Sequence, residues 1–441
     1  MSNFKDNPYR DMVYGVDYNI PLINEGNCVG INFDNAATTP PLMKVMEDIV
    51  NFSPYYSSIH RGEGFKSRYS TYMYDNSRSI VKQFFNIQSD KTDVIYVKNC
   101  TEAINKLARI MAVNYRNTIV ISTSMEHHSN DLPWRENFDL KYAEVDEKGN
   151  LDISDLEYKL KKYKGEVSLV TVTGASNVTG RKNPIKKLAS LAHKYGARIL
   201  VDGAQLVPHE KLSLNGDNSY EDIDFLVFSG HKIYAPFGTG VLIGPKNFFE
   251  ENNPDHTGGG TIDFVSHKNI IWTSSPEKNE AGSPNVLGSV ALASALSTLS
   301  KANMYKIAEY EKYLTYYLTK NMAAFHSVVL YGDYMDISNK VGILPFNIEG
   351  MHHSTVAKIL SYEFGIAVRS GCFCAHPYIQ RLLQISPKEL KILESTPKDE
   401  RPGMVRVSFG LYNTIDEIDR LLYAVEAITS NISRYNRMYS K

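Results

Sequence analysis

The sequence predicts an α/β fold: a large domain whose mostly parallel sheet is flanked by helices, then a smaller C-terminal α/β domain. Three observations predict it. Short apolar runs alternate with helix-length periodic segments through the first two thirds of the 441 residues. Strands separated by such segments imply helical crossovers and a sheet covered on both faces. After about Gly288 the pattern changes to an Ala- and Leu-rich helical stretch followed by a few separated strands.

The elements follow in order. Val94 to Val97 reads as a buried strand, and Thr101-Glu102 opens a helix with Ile104, Leu107, Ala108 and Met111 at helical spacing. Thr118 to Ser122 and Val167 to Thr173 are further short apolar strands. Pro184 starts a helix with Ile185, Leu188, Ala189 and Ala192 on one face, and Gly196 ends it. Ile199 to Asp202, Phe225 to Phe228 and Val241 to Gly244 complete the strands of the first part. Val290 to Leu299 and Met304 to Asn321 read as helices, Val341 to Ile348 and Met404 to Phe409 as strands, and Ile415 to Ile428 as a closing helix. Ser386 to Arg401 is mostly polar and holds Pro387 and Pro397, so an exposed loop is expected there. The expected division is an N-terminal segment 1–30 packing with the small domain, a large domain 31–289 and a small domain 290–441.

Composition excludes several classes. The chain is 43% hydrophobic and 22% charged, with net charge −1, so it has no field to gather nucleic acid or an anionic membrane. No apolar run is long enough to span a bilayer, and Met1 to Asn19 lacks the apolar core of a secretion signal. Four cysteines, Cys28, Cys100, Cys372 and Cys374, are too few for a disulfide framework. A reducing, cytoplasmic location is expected.

In parallel sheets ligands bind beyond the carboxyl ends of the strands. Asp202 ends one strand, and Lys232 follows another in Ser229-Gly230-His231-Lys232, thirty residues on. Alone, Asp202 reads as a helix cap or a surface carboxylate, and Lys232 most often as a solvated charge. Together with Gln205 they suit pyridoxal phosphate: a lysine amine holds the cofactor as a Schiff base, and a carboxylate keeps the pyridine nitrogen protonated. The cofactor phosphate needs several donors. Asn99, Cys100 and Thr101 stand where a helix N-terminus offers free N–H groups, and Thr101, Ser229 and His231 add side-chain donors. Thr101-Glu102 by itself reads as an ordinary cap. His127, in Glu126-His127-His128-Ser129-Asn130, offers a flat ring to stack on a pyridine, although a lone loop histidine is more often structural. The pair His127-His128 has no third ligand at zinc spacing, so no metal is expected.

Cys374 sits in Arg369-Ser370-Gly371-Cys372-Phe373-Cys374, a loop pattern. Its bland reading is a small buried hydrophobe. Its functional reading is a nucleophilic thiolate beside a positive group, for which Arg369 is the candidate. Cys372 reads as auxiliary or without a role. Arg406 stands in an apolar strand, where a guanidinium needs a partner. That partner is an internal acid or a substrate carboxylate.

Taken together, these residues resemble the class V aminotransferase superfamily of pyridoxal-phosphate fold type I. Within it they most resemble the group II, Suf-type cysteine desulfurases, also described as selenocysteine lyases. The similarity runs from Asn32-Phe33-Asp34-Asn35-Ala36-Ala37-Thr38 to Leu411-Tyr412-Asn413-Thr414. Between them lie Ile59-His60-Arg61-Gly62, Ser176-Asn177-Val178-Thr179-Gly180, Asp202-Gly203-Ala204-Gln205 and Glu280-Ala281-Gly282-Ser283-Pro284-Asn285. The resemblance implies that Lys232 carries the cofactor, Asp202 pairs with the ring nitrogen, Gln205 meets the ring hydroxyl and His127 stacks on the ring. It implies that Ser283 reaches the phosphate of the partner subunit in a homodimer. Asn177 and Arg406 would grip the substrate carboxylate, with Arg369, Asn35, Ala36 and His60 as further substrate contacts, and Cys374 would attack the substrate sulfur. The implied activity converts L-cysteine to L-alanine and leaves a persulfide on Cys374. That sulfur would pass to an acceptor protein or thiol, with iron–sulfur cluster assembly as the pathway the resemblance implies. Two departures stand out. Gly64 replaces a usual histidine, and the Cys-Phe-Cys loop resembles that of molybdenum-cofactor sulfurases. Selenocysteine lyase, such a sulfurase, an aminotransferase and an epimerase are the alternatives of the same superfamily.

Overall fold

A computed structural model of the chain describes residues 7–23, 26–115 and 118–439. The first six residues of the Met1 to Asn19 segment therefore lie outside those described. Seven strands form one sheet in the order Thr92–Val97, Gly240–Pro245, Phe225–Ser229, Arg198–Asp202, Val167–Thr173, Ile119–Thr123, Asp139–Ala143. The last five are parallel. Gly240–Pro245 runs antiparallel to both its neighbours, so Thr92–Val97 points the same way as those five.

The apolar runs form strands because both faces are covered. Val170, Val172, Ile199 and Val201 feed one core, while Leu169, Leu200 and Val227 feed a second core. Alternate side chains of one strand point to opposite faces, so a run apolar at every position is what a doubly covered strand requires. Asp139–Ala143 escapes the sequence reading because it is a half-exposed edge strand with charges at Asp139 and Lys141. Helix Ile185–Lys194 buries Leu188, Ala189 and Ala192, and Gly196 follows at φ +82°.

A second, antiparallel sheet has the order Val328–Leu330, Ile343–Ile348, Met404–Ser408, Arg369–Gly371. Arg369 is thus on an edge strand, not in the loop expected for it; the loop begins at Cys372. The expected loop at Ser386 to Arg401 is also corrected. Helix Pro387–Ser395 lies there, capped by Ser386, whose side chain exchanges hydrogen bonds with Glu389. Pro387 does not break this helix, because at the first helical position proline lacks only an N–H that would have no partner anyway.

Helix Val286–Ala302 is apolar on nearly every side and packs on Met43–Phe52 and Phe65–Phe84. Near the N-terminus, Ile31–Asn32 pairs in parallel with Ile366–Ala367, and Asn7 Nδ2 donates to the carbonyls of Leu411 and Asn413. No helix among the described residues is long and apolar enough to cross a membrane.

Candidate active site

The carboxyl ends of the parallel strands open into a cavity of about 230 Å³. Each contributing loop leaves the sheet at the same edge. Asp202 ends its strand, Lys232 closes the turn Gly230–Lys232 after Phe225–Ser229, and helix Cys100–Asn114 begins just past Thr92–Val97. His127 follows Ile119–Thr123, and Asn177 follows Val167–Thr173. Thirteen sequence-selected residues line this one space: Lys232, Asp202, Gln205, His127, Thr101, Cys100, Ser229, His231, Asn177, Arg406, Arg369, Ala36 and Cys374.

The electrostatics of the floor follow from burial. Asp202 is 3% exposed, and its Oδ1 accepts from Ala204 N at 2.9 Å and from Cys100 Sγ at 3.3 Å. Desolvation pushes its carboxyl up, against those donors and the nearby Lys232. Desolvation likewise pushes the Lys232 amine down, with Asp202 opposing. His127 lines the cavity with its Nδ1 accepting from Ser129 N at 3.0 Å. Burial, then the charge of Lys232, pushes it down to about 3, so the ring is neutral at physiological pH. Beneath it Glu126 is buried, accepting from Thr123 Oγ1, Asn130 Nδ2 and Thr173 N at 2.5, 2.7 and 2.9 Å. Gln205 Nε2 donates to the Ala36 carbonyl at 2.7 Å, which ties residues 32–38 to the cavity floor.

One end of the cavity is a donor cluster. Asn99 caps helix Cys100–Asn114 by accepting from Glu102 N at 2.9 Å, leaving the first turn aimed at the space. Gly240 permits that approach, since a Cβ there would lie 2.5 Å from Asn99 Cα. Cys100 N donates to Ser229 Oγ at 2.8 Å, and Thr101 Oγ1 is 2.7 Å from Ser129 Oγ. His231 is half-buried beside them, pushed down to about 4 by desolvation and Lys232.

The opposite wall comes from the C-terminal part. Arg406 is 3% exposed; Nη1 donates to the Asn177 carbonyl at 2.8 Å and Nη2 to Asp34 Oδ1 at 3.1 Å. Burial pushes this guanidinium down to about 10, so it stays charged at neutral pH. Arg369 Nη1 meets the other oxygen of Asp34 at 3.4 Å. Arg406 therefore has the internal acid of the first sequence reading, and it also lines the cavity. Cys374 is exposed on a strap held by His128 N, which donates to the Cys374 carbonyl at 2.7 Å. Cys372 is half-buried outside this cavity, its Sγ directed at the Pro402 carbonyl 3.6 Å away.

Three selected residues lie elsewhere. Asn35 is 3% exposed and donates to the carbonyls of Asn32 and Ser408, joining the two chain ends structurally. His60 is exposed, with Nε2 3.2 Å from Asp75 Oδ1 and its ring edge-on to Tyr74. Ser283 is exposed in the loop before Val286–Ala302. The residues missed are Ser129, Thr173 and Phe373 in the lining, and Asp34 behind it. Ser129, Asp34 and Phe373 lay inside quoted motifs; nothing in the sequence showed that Asp34 partners an arginine 372 residues away.

These residues fit pyridoxal phosphate. A buried carboxylate and a desolvated lysine share the floor, a neutral imidazole faces them, and a helix N-terminus with hydroxyl donors closes the end suited to a phosphate.

Residues 31–421 match the Aminotransferase class-V family. A probable cysteine desulfurase of Halalkalibacterium halodurans is 32% identical over 408 residues, covering 90% of this chain and 92% of that protein. A cysteine desulfurase of Escherichia coli O127:H6 is 33% identical over 405 residues, covering 90% and 92%. Among solved structures, the apo cysteine desulfurase of Thermococcus onnurineus NA1 superposes with a TM-score of 0.81 at 32% identity, covering 91% of this chain and 95% of that one. The E. coli cysteine desulfurase CsdA in its S-sulfonic acid form gives a TM-score of 0.78 at 27% identity, covering 91% and 95%. The chain belongs to the class-V aminotransferase family.

Proposed function

We propose that this member of the class-V aminotransferase family is a pyridoxal-phosphate-dependent cysteine desulfurase. It converts L-cysteine to L-alanine and keeps the sulfur as a persulfide on Cys374. The observation that carries this reading is that an exposed thiol, Cys374, opens into the same cavity as Lys232, Asp202 and Arg406. An aminotransferase or epimerase would have no use for that thiol.

Lys232 would hold the cofactor, Asp202 its ring nitrogen, His127 its ring face, and Thr101, Ser229, His231 and the helix N-terminus its phosphate. When bound, the cofactor supplies an electron sink for charge developing at the substrate α-carbon. Arg406 and Asn177 orient the substrate carboxylate, and Arg369 guards the mouth. Lys232 Nζ takes the α-proton; burial makes its amine easier to deprotonate, as a general base at neutral pH requires. Cys374 loses its proton and its sulfur attacks the substrate sulfur. A sulfur–sulfur bond forms, the carbon–sulfur bond breaks with its pair on carbon, and protonation there completes alanine.

In this reading residues 31–289 cradle the cofactor and residues 290–441 bring Cys374 and Arg406 to it. Ser283, exposed and outside its own chain's cavity, would serve the partner subunit of a homodimer. The persulfide would pass to an acceptor protein or thiol in a reducing cytoplasm, with iron–sulfur assembly as the pathway served. The test is release of alanine and sulfide from L-cysteine with a reductant, beside Cys374→Ala. The variant should keep the visible band of the bound cofactor and lose both products. Normal cysteine turnover by Cys374→Ala would sink the assignment.

A further inference from the structure

Two donors of the cavity are already engaged by one residue. Asn177 Nδ2 donates to the Phe373 carbonyl at 2.7 Å, and the Arg406 guanidinium lies 4.9 Å from the Phe373 ring centre. Asn177 and Arg406 are 6% and 3% exposed. Arg406 Nε is buried with no hydrogen-bond partner, an unusual state in a folded protein and one that points to a missing acceptor. Phe373 lines the cavity beside both and precedes the exposed Cys374.

The strap that holds Phe373 is conformationally expensive. Phe373 and Cys374 have φ of +47° and +55°, a left-handed pair that side-chain-bearing residues rarely adopt. Such a conformation persists only while contacts over-determine it. Here the contacts are the Asn177 amide, His128 N on the Cys374 carbonyl at 2.7 Å and Ala375 N on the Cys372 carbonyl at 2.8 Å.

We infer that Phe373 is a placeholder for the substrate carboxylate. An entering carboxylate takes the Asn177 amide and the Arg406 guanidinium from Phe373, because charge-assisted bonds outcompete a neutral carbonyl and a ring face. The strap then loses the tie that fixes its left-handed pair, and Cys374 is released to move onto the substrate. The thiol is mobilised only when an amino acid is seated. Phe373 is thus a positioning residue; the inference rests on reading the cavity as an amino-acid site.

The experiment is amide hydrogen exchange on the cofactor-loaded protein with L-alanine, and with ethylamine, which keeps the amine and lacks the carboxylate. Binding ordinarily protects amides. Here L-alanine should speed exchange several-fold in the peptide covering residues 372–376, and ethylamine should not. Phe373→Ala keeps the backbone carbonyl that Asn177 holds, so without ligand its strap should exchange like wild type. The variant should bind L-alanine about 2- to 30-fold tighter, the range set by losing a cation–π contact that competes with the ligand. Phe373→Tyr, which keeps the ring, should behave as wild type. Protection of the strap by L-alanine, unchanged exchange, or no binding of L-alanine at the cofactor's visible band overturns the inference. If Phe373→Ala does not fold, the wild-type comparison of L-alanine with ethylamine still decides it. Mobilisation by L-alanine in a protein that leaves L-cysteine intact would keep this inference and remove the desulfurase reading.

Discussion

Arg406→Lys separates carboxylate binding from chemistry. In the fold the guanidinium forks, with Nη1 on the Asn177 carbonyl at 2.8 Å, Nη2 on Asp34 at 3.1 Å and Nε without a partner. A lysine ammonium keeps the charge, so Asp34 is not abandoned, and Arg369 still reaches its other oxygen at 3.4 Å. The stability loss should therefore stay near 1 kcal/mol, one ordinary hydrogen bond. What lysine cannot do is serve Asp34 and a carboxylate at once in the planar geometry of the fork. The substrate should lose one charge-assisted bond, about 1.5–3 kcal/mol, or about 10- to 150-fold in kcat/KM. The carboxylate is held alike before and during the reaction, so the loss should fall on KM with kcat nearly unchanged. Initial rates of alanine formation against L-cysteine concentration read both parameters. A KM within twofold of wild type would refute the carboxylate assignment, and a fall in kcat alone would move Arg406 into the chemistry.

Two further predictions concern the frame. Glu280 accepts from Arg78 at 2.8 and 2.9 Å, from Tyr74 Oη at 2.6 Å and from Tyr96 N at 2.6 Å, nearly out of water. Glu280→Gln leaves the buried Arg78 only the more exposed Glu277, 4.0 Å away, and should cost about 3 kcal/mol in urea unfolding, part of which Arg78→Met should restore; a loss under about 1 kcal/mol would contradict the pairing. Burial pushes the Lys340 ammonium down to about 8 from 10.5. Between those values the unfolded chain binds more protons, so Lys340 makes stability rise with pH, by about 3 kcal/mol over the window, and weakens the fold at neutral pH. Lys340→Met should be the more stable protein at pH 7, with the gap nearly closed by pH 10.5; an equal gap at both values would show that Lys340 is not held in a dry site.

The cavity floor was legible because strand ends are. An apolar run that stops at Asp202, and another that stops just before Lys232, place both residues at the carboxyl edge of a parallel sheet. The opposite wall was less legible, since its contacts join distant chain segments. Arg406 advertised the need for a partner, yet Asp34 became one only through the pairing of Ile31–Asn32 with Ile366–Ala367 and of Asp34 with Ser408. The helix at Pro387–Ser395 was hidden by its proline and polar surface, because helix signals weigh buried faces and it buries none of its residues. His60 and Ser283 are exposed and face away from their own chain's cavity, so a single chain gives their expected roles nothing to act on.

Of two neighbouring thiols, Cys374 is the one proposed to carry the sulfur because of what each one faces. Nucleophilic sulfur attack needs a thiolate with access to the substrate. Cys372 has neither: burial pushes its thiol up, and its Sγ is directed at the Pro402 carbonyl away from the cavity. Cys374, two residues on, is exposed and lines the cavity that Arg406 and Lys232 share. The groups proposed to stabilise charge sit on strand ends and a helix terminus, where the sheet fixes them. The group proposed to carry sulfur away sits on a strap tied by a few hydrogen bonds. A desulfurase needs that division, because its electron sink must stay put through the reaction while its persulfide must leave the substrate and meet an acceptor. Cys374 is the one cysteine among the described residues that lies on both sides of it, in the cavity and open to solvent.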